Sequence, residues 1–419
     1  MEKTGYFPSV KDIEKAAGIL EEIIEPTMMK INHKLSETYG ADIFLKREDL
    51  QIVRSYKIRG AYNKIRSLSP DLLKYGIVCA SAGNHAQGVA FSCNKLRIMG
   101  SIYMPTTTPR QKIESVRMFG KEYVDIVLTG DTFDAANAAA VEYAKRSGKT
   151  FIPPFDDKKI IEGQGTIGLE ICRQTDKPLD YIFVPIGGGG LASGLGAYVK
   201  QTWPETKVIG VEPDGAACMK AAMEAGHVVE LENIDKFVDG AAVKKAGQLT
   251  FDVCRQVLDD IVTVPEGAVC TTIIDMYNKN AIVVEPAGAL AVAALRFYAD
   301  KIKGKRVGCI VSGSNNDIIR MEEIREKSMI YEGLKHYFII NFPQRSGALL
   351  SFIRDVIGPT DDLVYIQYIR KTNKEEGPAM IGIEVRSKDD YHALVKRMEA
   401  NNILYEYINE NNKLLEILI

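Results

Sequence analysis

The sequence predicts an α/β fold with parallel sheets, followed by a smaller C-terminal domain of a different type. The chain has 419 residues, which is more than one ordinary hydrophobic core requires. From about residue 40 to 315, short apolar runs that end in Gly, Ser or Asn alternate with amphipathic stretches, and this alternation is typical of βα units in a parallel sheet. Beyond residue 330 the pattern changes to a βαββαβ order, which is typical of a ferredoxin-like domain. We therefore place a domain boundary near residue 330.

The predicted elements of the first domain, residues 1–330, follow from local patterns. Ser9 predicts the start of a helix, because Asp12 follows three residues later and apolar residues then recur at helical spacing. The apolar runs that predict strands lie at residues 76–80, 98–104, 181–185, 208–212 and 307–311. Small and polar residues follow the first, third and last of these runs. Because ligands of parallel sheets bind beyond the carboxyl ends of the strands, these three loops are candidate binding loops.

The second domain, residues 331–419, has a different order of elements. A charged segment at 318–333 predicts a helix that leads into this domain. The following segments predict, in chain order, a strand at 335–342, a helix at 346–357, strands at 363–370 and 379–386, a helix at 388–401 and a last strand at 413–419. This order is the basis of the ferredoxin-like prediction.

The composition limits the classes of protein to which the chain can belong. Its 46% of hydrophobic and 26% of charged residues are typical of a soluble globular protein, and its net charge of −2 gives no reason to expect nucleic acid or an anionic membrane as a partner. No apolar run is long enough to span a membrane, and the first residues lack a secretory signal. The seven cysteines are scattered and none form a C-x-x-C pair, so we expect buried thiols and a cytoplasmic protein.

The residue that points most directly to chemistry is Lys57, in the segment 55–61 between a predicted strand and a predicted helix. A lysine forms an imine with an aldehyde when its amine loses a proton, helped by removal from water or by a cationic neighbour. Arg54 and Arg59 are near in sequence and are candidates for that neighbour. The alternative is a solvated surface lysine. One amine and three polar loops suit a cofactor with an aldehyde and a phosphate, as pyridoxal phosphate has.

A run of four glycines follows the apolar residues 181–185 and opens a predicted helix. It comprises Gly187, Gly188, Gly189 and Gly190. Backbone N–H groups in such a run approach an anion closely, and a helix N-terminus adds partial positive charge, so we predict a phosphate site. A dinucleotide site is one alternative, because Glu212 lies at the end of the next strand, near the offset of an acidic ribose-binding residue. A purely structural turn is another.

Two further loops are candidates for contacts with a substrate and a cofactor. The first contains Ser81, Gly83, Asn84 and His85. It opens a predicted helix, whose backbone N–H groups could hold a substrate carboxylate. Asn84 could bond a ring hydroxyl, whereas His85 is a candidate for acid–base work or for capping and packing. In the second loop, at 312–317, Ser312 could bond a pyridine nitrogen. For both loops the alternative is a simple helix cap.

Taken together, these segments resemble the fold type II pyridoxal-phosphate enzymes, and among them the threonine dehydratases. The matching strings lie, in the family order, at residues 45–50, 55–60, 81–85, 187–190, 284–288 and 312–315. The C-terminal segment resembles the ACT-like regulatory domain of the biosynthetic members. The resemblance implies a tryptophan synthase β-like catalytic domain of two α/β subdomains with parallel sheets, an ACT-like domain, and pyridoxal 5'-phosphate as the cofactor.

The resemblance also implies a role for each candidate residue. Lys57 would bind the cofactor aldehyde and act as the base at the substrate α-carbon, beside Tyr56, where the family usually has phenylalanine. Asn84 would contact the ring hydroxyl, Ser312 the pyridine nitrogen, and Gly240 the face of the cofactor. The four glycines would hold the phosphate. The substrate carboxylate would be bound by Ser81, Gly83, Asn84 and His85.

Two positions depart from related enzymes. Ala82 stands where serine racemases of this family carry a second serine, which favours a dehydratase over a racemase. Cys218 stands where cation-dependent relatives carry a second acid in addition to the one at Glu212. No metal ligand is therefore predicted, and a monovalent cation stays open.

The activity that the resemblance implies is deamination of L-threonine to 2-oxobutanoate and ammonia, the first step of isoleucine biosynthesis. A serine dehydratase or a threonine synthase of the same fold is the nearest alternative, and L-serine is a second candidate substrate. A nicotinamide-dependent oxidoreductase and a catalytically silent amino-acid sensor are alternatives from other classes. The retained Lys57, Asn84 and Ser312 argue against the silent sensor.

The C-terminal domain implies regulation and assembly. Its segment 342–349 places a loop at a strand–helix junction, which is a natural site for the carboxylate of a small effector. Isoleucine is the expected effector, and a response to valine stays open. The alternative is a packing and oligomer module. Because ACT-like domains commonly pair between subunits, a homo-oligomer, and in particular a tetramer, is expected.

Overall fold

The computed structural model describes residues 5–369, 375–411 and 414–415, and the chain divides into two compact units, Met1–Asp317 and Ile318–Ile419. The helices of the first unit are α1 (Val10–Leu20), α2 (His33–Tyr39), α3 (Lys57–Arg66), α4 (Pro70–Leu73), α5 (Asn84–Leu96), α6 (Arg110–Gly120), α7 (Phe133–Ser147), α8 (Lys158–Gln174), α9 (Gly190–Thr202), α10 (Cys218–Ala225), α11 (Gln248–Val257), α12 (Glu266–Asn280), α13 (Pro286–Ala293) and α14 (Leu295–Ile302). Its strands are β1 (Met29–Ile31), β2 (Asp42–Arg47), β3 (Ile77–Ala80), β4 (Gly100–Met104), β5 (Val124–Leu128), β6 (Thr150–Phe151), β7 (Tyr181–Pro185), β8 (Lys207–Pro213), β9 (Asp260–Val264) and β10 (Arg306–Val311). The second unit has the helices α15 (Met321–Tyr331), α16 (Ala348–Asp355) and α17 (Lys388–Ala400) and the strands β11 (Lys335–Pro343), β12 (Asp362–Tyr368), β13 (Glu376–Glu384) and β14 (Tyr405–Tyr407).

The first unit contains two sheets. The larger has six strands in the order β1-β2-β10-β7-β8-β9, and its pairs are parallel except for β1, which runs antiparallel to β2. The smaller has four parallel strands in the order β5-β4-β3-β6. Strands such as β3, in which every residue is buried, appear in the sequence as continuous apolar runs because helices cover both faces of a parallel sheet. The predicted α/β class with parallel sheets is confirmed.

Three helices of the first unit, α3, α8 and α9, pack closely because glycines lie where they meet. A side chain at Gly163 of α8 would place its Cβ 2.7 Å from the carbonyl oxygen of Arg59 on α3. A Cβ at Gly194 of α9 would overlap the carbonyl oxygen of Ile161 on α8. The helices can approach this closely only where side chains are absent. Their packing fixes α3, and with it the position of Lys57 at its first residue.

The N-terminal helix and the cysteines also follow the predictions. Ser9 caps α1, and its Oγ accepts a hydrogen bond from the N–H of Asp12 at 3.1 Å. All seven cysteines have free thiols, and six of them are buried. In the part of the chain that the structure describes, the helices are all too short or too polar to cross a membrane.

The second unit is built on one antiparallel sheet with the strand order β12-β13-β11-β14. With α16 and α17 it gives the predicted βαββαβ order, and the ferredoxin-like prediction is confirmed. The core between the sheet and these helices contains Phe338, Ile340, Phe342, Phe352, Ile381, Ile383, Leu394 and Met398. Two ion pairs tie α15 to the sheet, one from Glu326 to Lys335 at 2.6 Å and one from Arg325 to Glu384 at 2.8 Å.

Element boundaries in the second unit differ from the predictions by a few residues, and three differences are the most informative. Helix α16 begins at Ala348 rather than at residue 346, because Gly347 has a φ of +82°, which is left-handed and not helical. Strand β13 begins at Glu376 rather than at residue 379. The predicted strand at 413–419 lies outside the described residues except for 414–415, which belong to a helical turn. Among the described residues the last strand is β14, which pairs with β11.

Candidate active site

The predicted binding loops meet at the carboxyl ends of strands from both sheets of the first unit. Because β10 lies between β2 and β7, the segments that follow these three strands are neighbours. They lead to Lys57, to Ser312 and to the four glycines. The loop after β3 belongs to the smaller sheet, and its Asn84 Oδ1 accepts a hydrogen bond from Asn315 Nδ2, just beyond β10, at 2.6 Å. Loops from both sheets therefore line one site.

Lys57 is half-buried at the start of α3. Its Nζ donates to the carbonyl oxygen of Pro154 at 3.1 Å and lies 5.4 Å from the centroid of the Tyr56 ring. Removal from water lowers the pKa of Lys57 to about 8, and the carboxyl group of Glu285 acts in the opposite direction. An amine with this pKa loses its proton near pH 8, below the usual range for lysine, and can then act as a nucleophile or a base. The N–H of Tyr56 donates to the carbonyl oxygen of Ser312 at 3.2 Å, which joins two of the loops.

The four glycines form a loop that side chains would disrupt. Gly189 has a φ of +91°, and Gly190 begins α9. A Cβ at Gly188 would overlap the ring of Phe155, and a Cβ at Gly190 would lie 2.9 Å from the Cβ of Phe155. The requirement for glycine and the helix N-terminus fit the predicted phosphate site.

The dinucleotide alternative loses its support at Glu212. The carboxylate of this residue is fully buried and accepts hydrogen bonds from the backbone N–H groups of Met219 and Lys220, both at 2.8 Å. Burial raises the pKa of Glu212 to about 7. The side chain therefore caps the start of α10 and is not presented to a ribose.

In the loop that opens α5, Ser81 makes a polar contact within the loop and His85 makes one to the interior. Ser81 Oγ accepts from the N–H of Gly83 at 3.2 Å, and a Cβ at Gly83 would meet nothing within 4 Å. His85 is buried, and its Nε2–H donates to the carbonyl oxygen of Ile152 at 3.0 Å. Mainly through burial, the pKa of His85 is lowered to about 3. Its imidazole is thus neutral near pH 7, which favours the packing role over acid–base work.

Ser312 and Gly240 come together around Ala287. Ser312 is buried, and its Oγ donates to the carbonyl oxygen of Ala287 at 3.2 Å. A hydroxyl rotates to suit its partners, so this one could donate to a ring nitrogen instead. Gly240 is exposed, and a Cβ there would lie 2.7 Å from the Cβ of Ala287 and 3.6 Å from Oε1 of Glu285. Both predicted cofactor contacts therefore border the same region.

Glu285 belongs to this region, although the sequence predicts no role for it. It is buried, and its Oε1 accepts a hydrogen bond from Asn84 Nδ2 at 2.6 Å. Burial, followed by the charge of Asp239, raises the pKa of Glu285 to about 7. One feature of the sequence could have indicated a role for Glu285. It is an acidic residue between Val284 and Pro286 at the start of an apolar helix, and burying a carboxylate without a partner there would be costly.

The lowered pKa of Lys57 comes from burial, and neither candidate arginine contributes to it. Arg59 donates to Glu48 at 2.8 Å and to Glu170 at 2.6 Å, in a buried cluster of ion pairs. Arg54 is exposed and has a φ of +57°. The pKa of the Lys57 amine is therefore lowered by removal from water and not by a cationic neighbour.

Two family models match the chain. The model described as pyridoxal-phosphate dependent enzyme matches residues 20–313, which include all the predicted site residues. The model described as C-terminal regulatory domain of threonine dehydratase matches residues 326–418. These matches confirm the predicted cofactor class and the regulatory type of the C-terminal unit.

Comparison with individual proteins gives the same result over the whole chain. The chain is 55% identical to the biosynthetic L-threonine dehydratase IlvA of Halalkalibacterium halodurans, covering 98% of this chain and 99% of that one, and 54% identical to that of Bacillus subtilis, covering 98% and 97%. The processed form of threonine deaminase isoform 2 from Solanum lycopersicum aligns with a TM-score of 0.72 and 39% identity over 78% of this chain and 96% of that structure. The chain belongs to the biosynthetic L-threonine dehydratases, which are pyridoxal-phosphate dependent enzymes with a C-terminal regulatory domain.

Proposed function

We propose that this chain deaminates L-threonine to 2-oxobutanoate and ammonia, and so begins isoleucine biosynthesis. The observation that carries the proposal is the 55% identity to a biosynthetic L-threonine dehydratase across nearly the full length of both chains. The site is consistent with this activity, because it contains a lysine whose amine loses its proton near pH 8. The glycine loop lies in the same site as this lysine, and its backbone N–H groups suit the cofactor phosphate.

Each predicted residue has a task in this reaction. Pyridoxal phosphate, when bound, supplies an electron sink that stabilises negative charge at the substrate α-carbon. Lys57 Nζ would hold the cofactor through its aldehyde and, once freed by the substrate amine, would take the α-proton of threonine, so that the α-hydrogen and the β-hydroxyl are lost together as the elements of water. Asn84 would orient the cofactor ring by a hydrogen bond to the ring hydroxyl, and Ser312 would bond the ring nitrogen. The phosphate is held by Gly187, Gly188, Gly189 and Gly190, with Tyr56 and Gly240 beside the ring. The substrate carboxylate is bound by Ser81, Gly83, Asn84 and the backbone of His85.

The deciding experiment measures release of 2-oxo acid from L-threonine and from L-serine by the purified protein, with and without L-isoleucine. We expect release of 2-oxobutanoate that isoleucine suppresses. Release from serine alone would replace threonine dehydratase by serine dehydratase. Release from threonine that ignores isoleucine would keep the reaction and leave the second unit as an assembly module or a site for another effector, such as valine.

The regulatory proposal is that isoleucine binds the second unit at the loop between β11 and α16. The match to a regulatory domain supports an effector, and its identity is the proposed part. Gln344 in this loop donates through Nε2 to the carbonyl oxygen of Phe342 at 3.1 Å and to the hydroxyl of Tyr368 at 3.3 Å. These bonds hold the loop against the sheet at a helix start, where backbone N–H groups suit a carboxylate.

Three further proposals concern the organisation of the protein. We propose a functional boundary near residue 330, whereas the compact units divide earlier, between Asp317 and Ile318, within the gap from 313 to 326 that separates the family matches. A homotetramer follows from the pairing common among ACT-like domains, and equilibrium sedimentation tests it. A cytoplasmic location follows from the free, buried cysteines, which suit a reducing compartment.

A substitution in the glycine loop tests the phosphate site. Gly188→Ala should weaken binding of pyridoxal phosphate at least about tenfold, because the new Cβ overlaps the ring of Phe155 and the loop has to shift. Titration of apoprotein with cofactor, followed by absorbance, measures this affinity. Gly18→Ala is the matched control, because Gly18 lies inside α1 with nothing within 4 Å of an added Cβ. Equal affinities of the two variants for pyridoxal phosphate would contradict the assignment of the phosphate site to this loop.

A further inference from the structure

The amide of Asn84 makes two short hydrogen bonds, both to residues on the side of the larger sheet. Its Nδ2 donates to Glu285 Oε1 at 2.6 Å, and its Oδ1 accepts from Asn315 Nδ2 at 2.6 Å. Asn84 begins α5, next to the smaller sheet, whereas Glu285 precedes α13 and Asn315 follows β10. The two bonds thus join the halves of the first unit at the proposed cofactor contact.

Glu285 and Asn315 determine the directions in which the oxygen and the NH2 group of the Asn84 amide point. Glu285 Oε1 accepts a hydrogen bond when the carboxyl group is ionised and also when its proton lies on Oε2, so it selects the NH2 group of Asn84. The amide of Asn315 is fixed in turn, because its Nδ2 also donates to the carbonyl oxygen of Val53 at 2.9 Å. It therefore presents a donor, which selects Oδ1 of Asn84. Since the NH2 group has two hydrogens and Glu285 uses one, a second N–H stays available for a ligand.

Two glycines next to Glu285 leave space for its carboxyl group, and a backbone hydrogen bond holds its main chain in place. A Cβ at Gly313 would overlap Glu285 Oε1, and a Cβ at Gly240 would lie 3.6 Å from it. The backbone N–H of Glu285 donates to the carbonyl oxygen of Gly313 at 3.2 Å. The side chain is 4% exposed, so water does not replace Asn84 as its partner easily. The carboxyl group is therefore held in one place opposite the amide.

We propose that Glu285 is a positioning residue, which holds the Asn84 amide so that its second N–H meets the ring hydroxyl of pyridoxal phosphate. The inference rests on the proposed function, since it takes the cofactor contact of Asn84 from there. Without an acceptor at position 285 the amide is held only by Asn315 at its oxygen end, so its NH2 group is no longer fixed and the amide can turn its oxygen toward the cofactor. An oxygen in place of the donor repels the oxygen of the ring, which changes both the electronic state of the cofactor and its orientation.

The test compares holoenzyme variants by two readouts, the absorption spectrum of the bound cofactor as a function of pH and the kinetic constants kcat and kcat/KM for L-threonine. Glu285→Ala should shift the absorption maximum and its pH midpoint and reduce kcat roughly 10- to 100-fold, the effect typical of losing a residue that orients a ligand-contacting group. Glu285→Gln keeps an acceptor oxygen. It should restore the parental spectrum and have a kcat at least about tenfold higher than that of Glu285→Ala. Asn315→Ala, which frees the other end of the amide, should shift the spectrum in the same direction as Glu285→Ala.

The matched control is Glu266→Ala, which removes another shielded carboxylate at a helix start, one that accepts from the N–H of Gly215 at 2.8 Å. It should leave the cofactor spectrum unchanged. A Glu285→Ala enzyme with the parental spectrum and kcat/KM would overturn the positioning role, as would a shifted spectrum that Glu285→Gln does not restore. If the parental protein binds the cofactor but releases no 2-oxo acid from threonine, the proposed function fails separately, and the spectra still decide the role of Glu285.

Discussion

Replacing Lys57 with alanine is expected to reduce turnover of L-threonine at least about 10³-fold, because the protein loses both its link to the cofactor and its base. The amine is placed for both tasks, since burial lowers its pKa to about 8. Release of 2-oxobutanoate at saturating cofactor measures the loss. Borohydride treatment of the parental protein, followed by peptide mass mapping, should place the reduced cofactor on the peptide that contains Lys57.

Two further variants make this result specific. Lys145→Ala removes an exposed lysine from α7 and should keep both turnover and the label. Lys57→Arg keeps a positive charge but has no primary amine, so it should be as inactive as Lys57→Ala. Turnover by Lys57→Ala within tenfold of the parental protein, or a label on another lysine, would contradict the assignment.

The parts of the fold that the sequence predicts are those that depend on local patterns. Strands β3, β7 and β10 are buried on both faces, so each appears as an apolar run that ends in small residues. The loops after them therefore mark the carboxyl edge of the sheets, and Lys57 falls at the start of α3 as predicted. The alternation of elements in the second unit is equally local, which is why its ferredoxin-like order is predicted correctly.

The contacts that the sequence does not predict join residues far apart along the chain. Asn84 and Glu285 are 201 residues apart, and no periodicity pairs one with the other. His85 is a similar case, because its role depends on the carbonyl oxygen of Ile152, 67 residues away. A histidine in a small-residue loop allows acid–base chemistry and packing alike, and only its burial separates them.

Arg59 is a further residue whose contacts the sequence does not predict, although it lies only two residues from Lys57. Positions two apart on a helix point in directions that differ by about 200°, so the two side chains leave α3 on different sides. The partners on the side of Arg59 are Glu48, 11 residues before it, and Glu170, 111 residues after it. Arg59 and Glu48 are both fully buried. The arginine is thus part of the interior, and its charge is balanced there.

Replacing Arg59 with methionine is expected to destabilise the first unit by roughly 3–5 kcal/mol, because it leaves the buried carboxylate of Glu48 without its ion-pair partner. Glu170 keeps an ion pair with Lys46 at 2.5 Å and should lose less. The single tryptophan of the chain, Trp203, lies in the first unit, so urea unfolding followed by its fluorescence reports on this unit alone. The matched control is Arg173→Met, an exposed position on α8, where a change within about 0.5 kcal/mol is expected.

The dependence on pH separates a charge effect from a packing effect. Burial alone would raise the pKa of Glu48, but the charge and hydrogen bonds of Arg59, with smaller contributions from Lys46 and Thr27, together outweigh it and hold the pKa below the value of about 4.5 that is normal for glutamate. A carboxyl group with a lowered pKa contributes stability that is present above its unfolded-state pKa and is lost as the pH falls. The difference in unfolding free energy between the parental protein and Arg59→Met should therefore be largest at neutral pH and shrink below about pH 4.5. A difference that stays constant from pH 7 to pH 3 would show that the volume of the side chain, and not its charge, stabilises this part of the core.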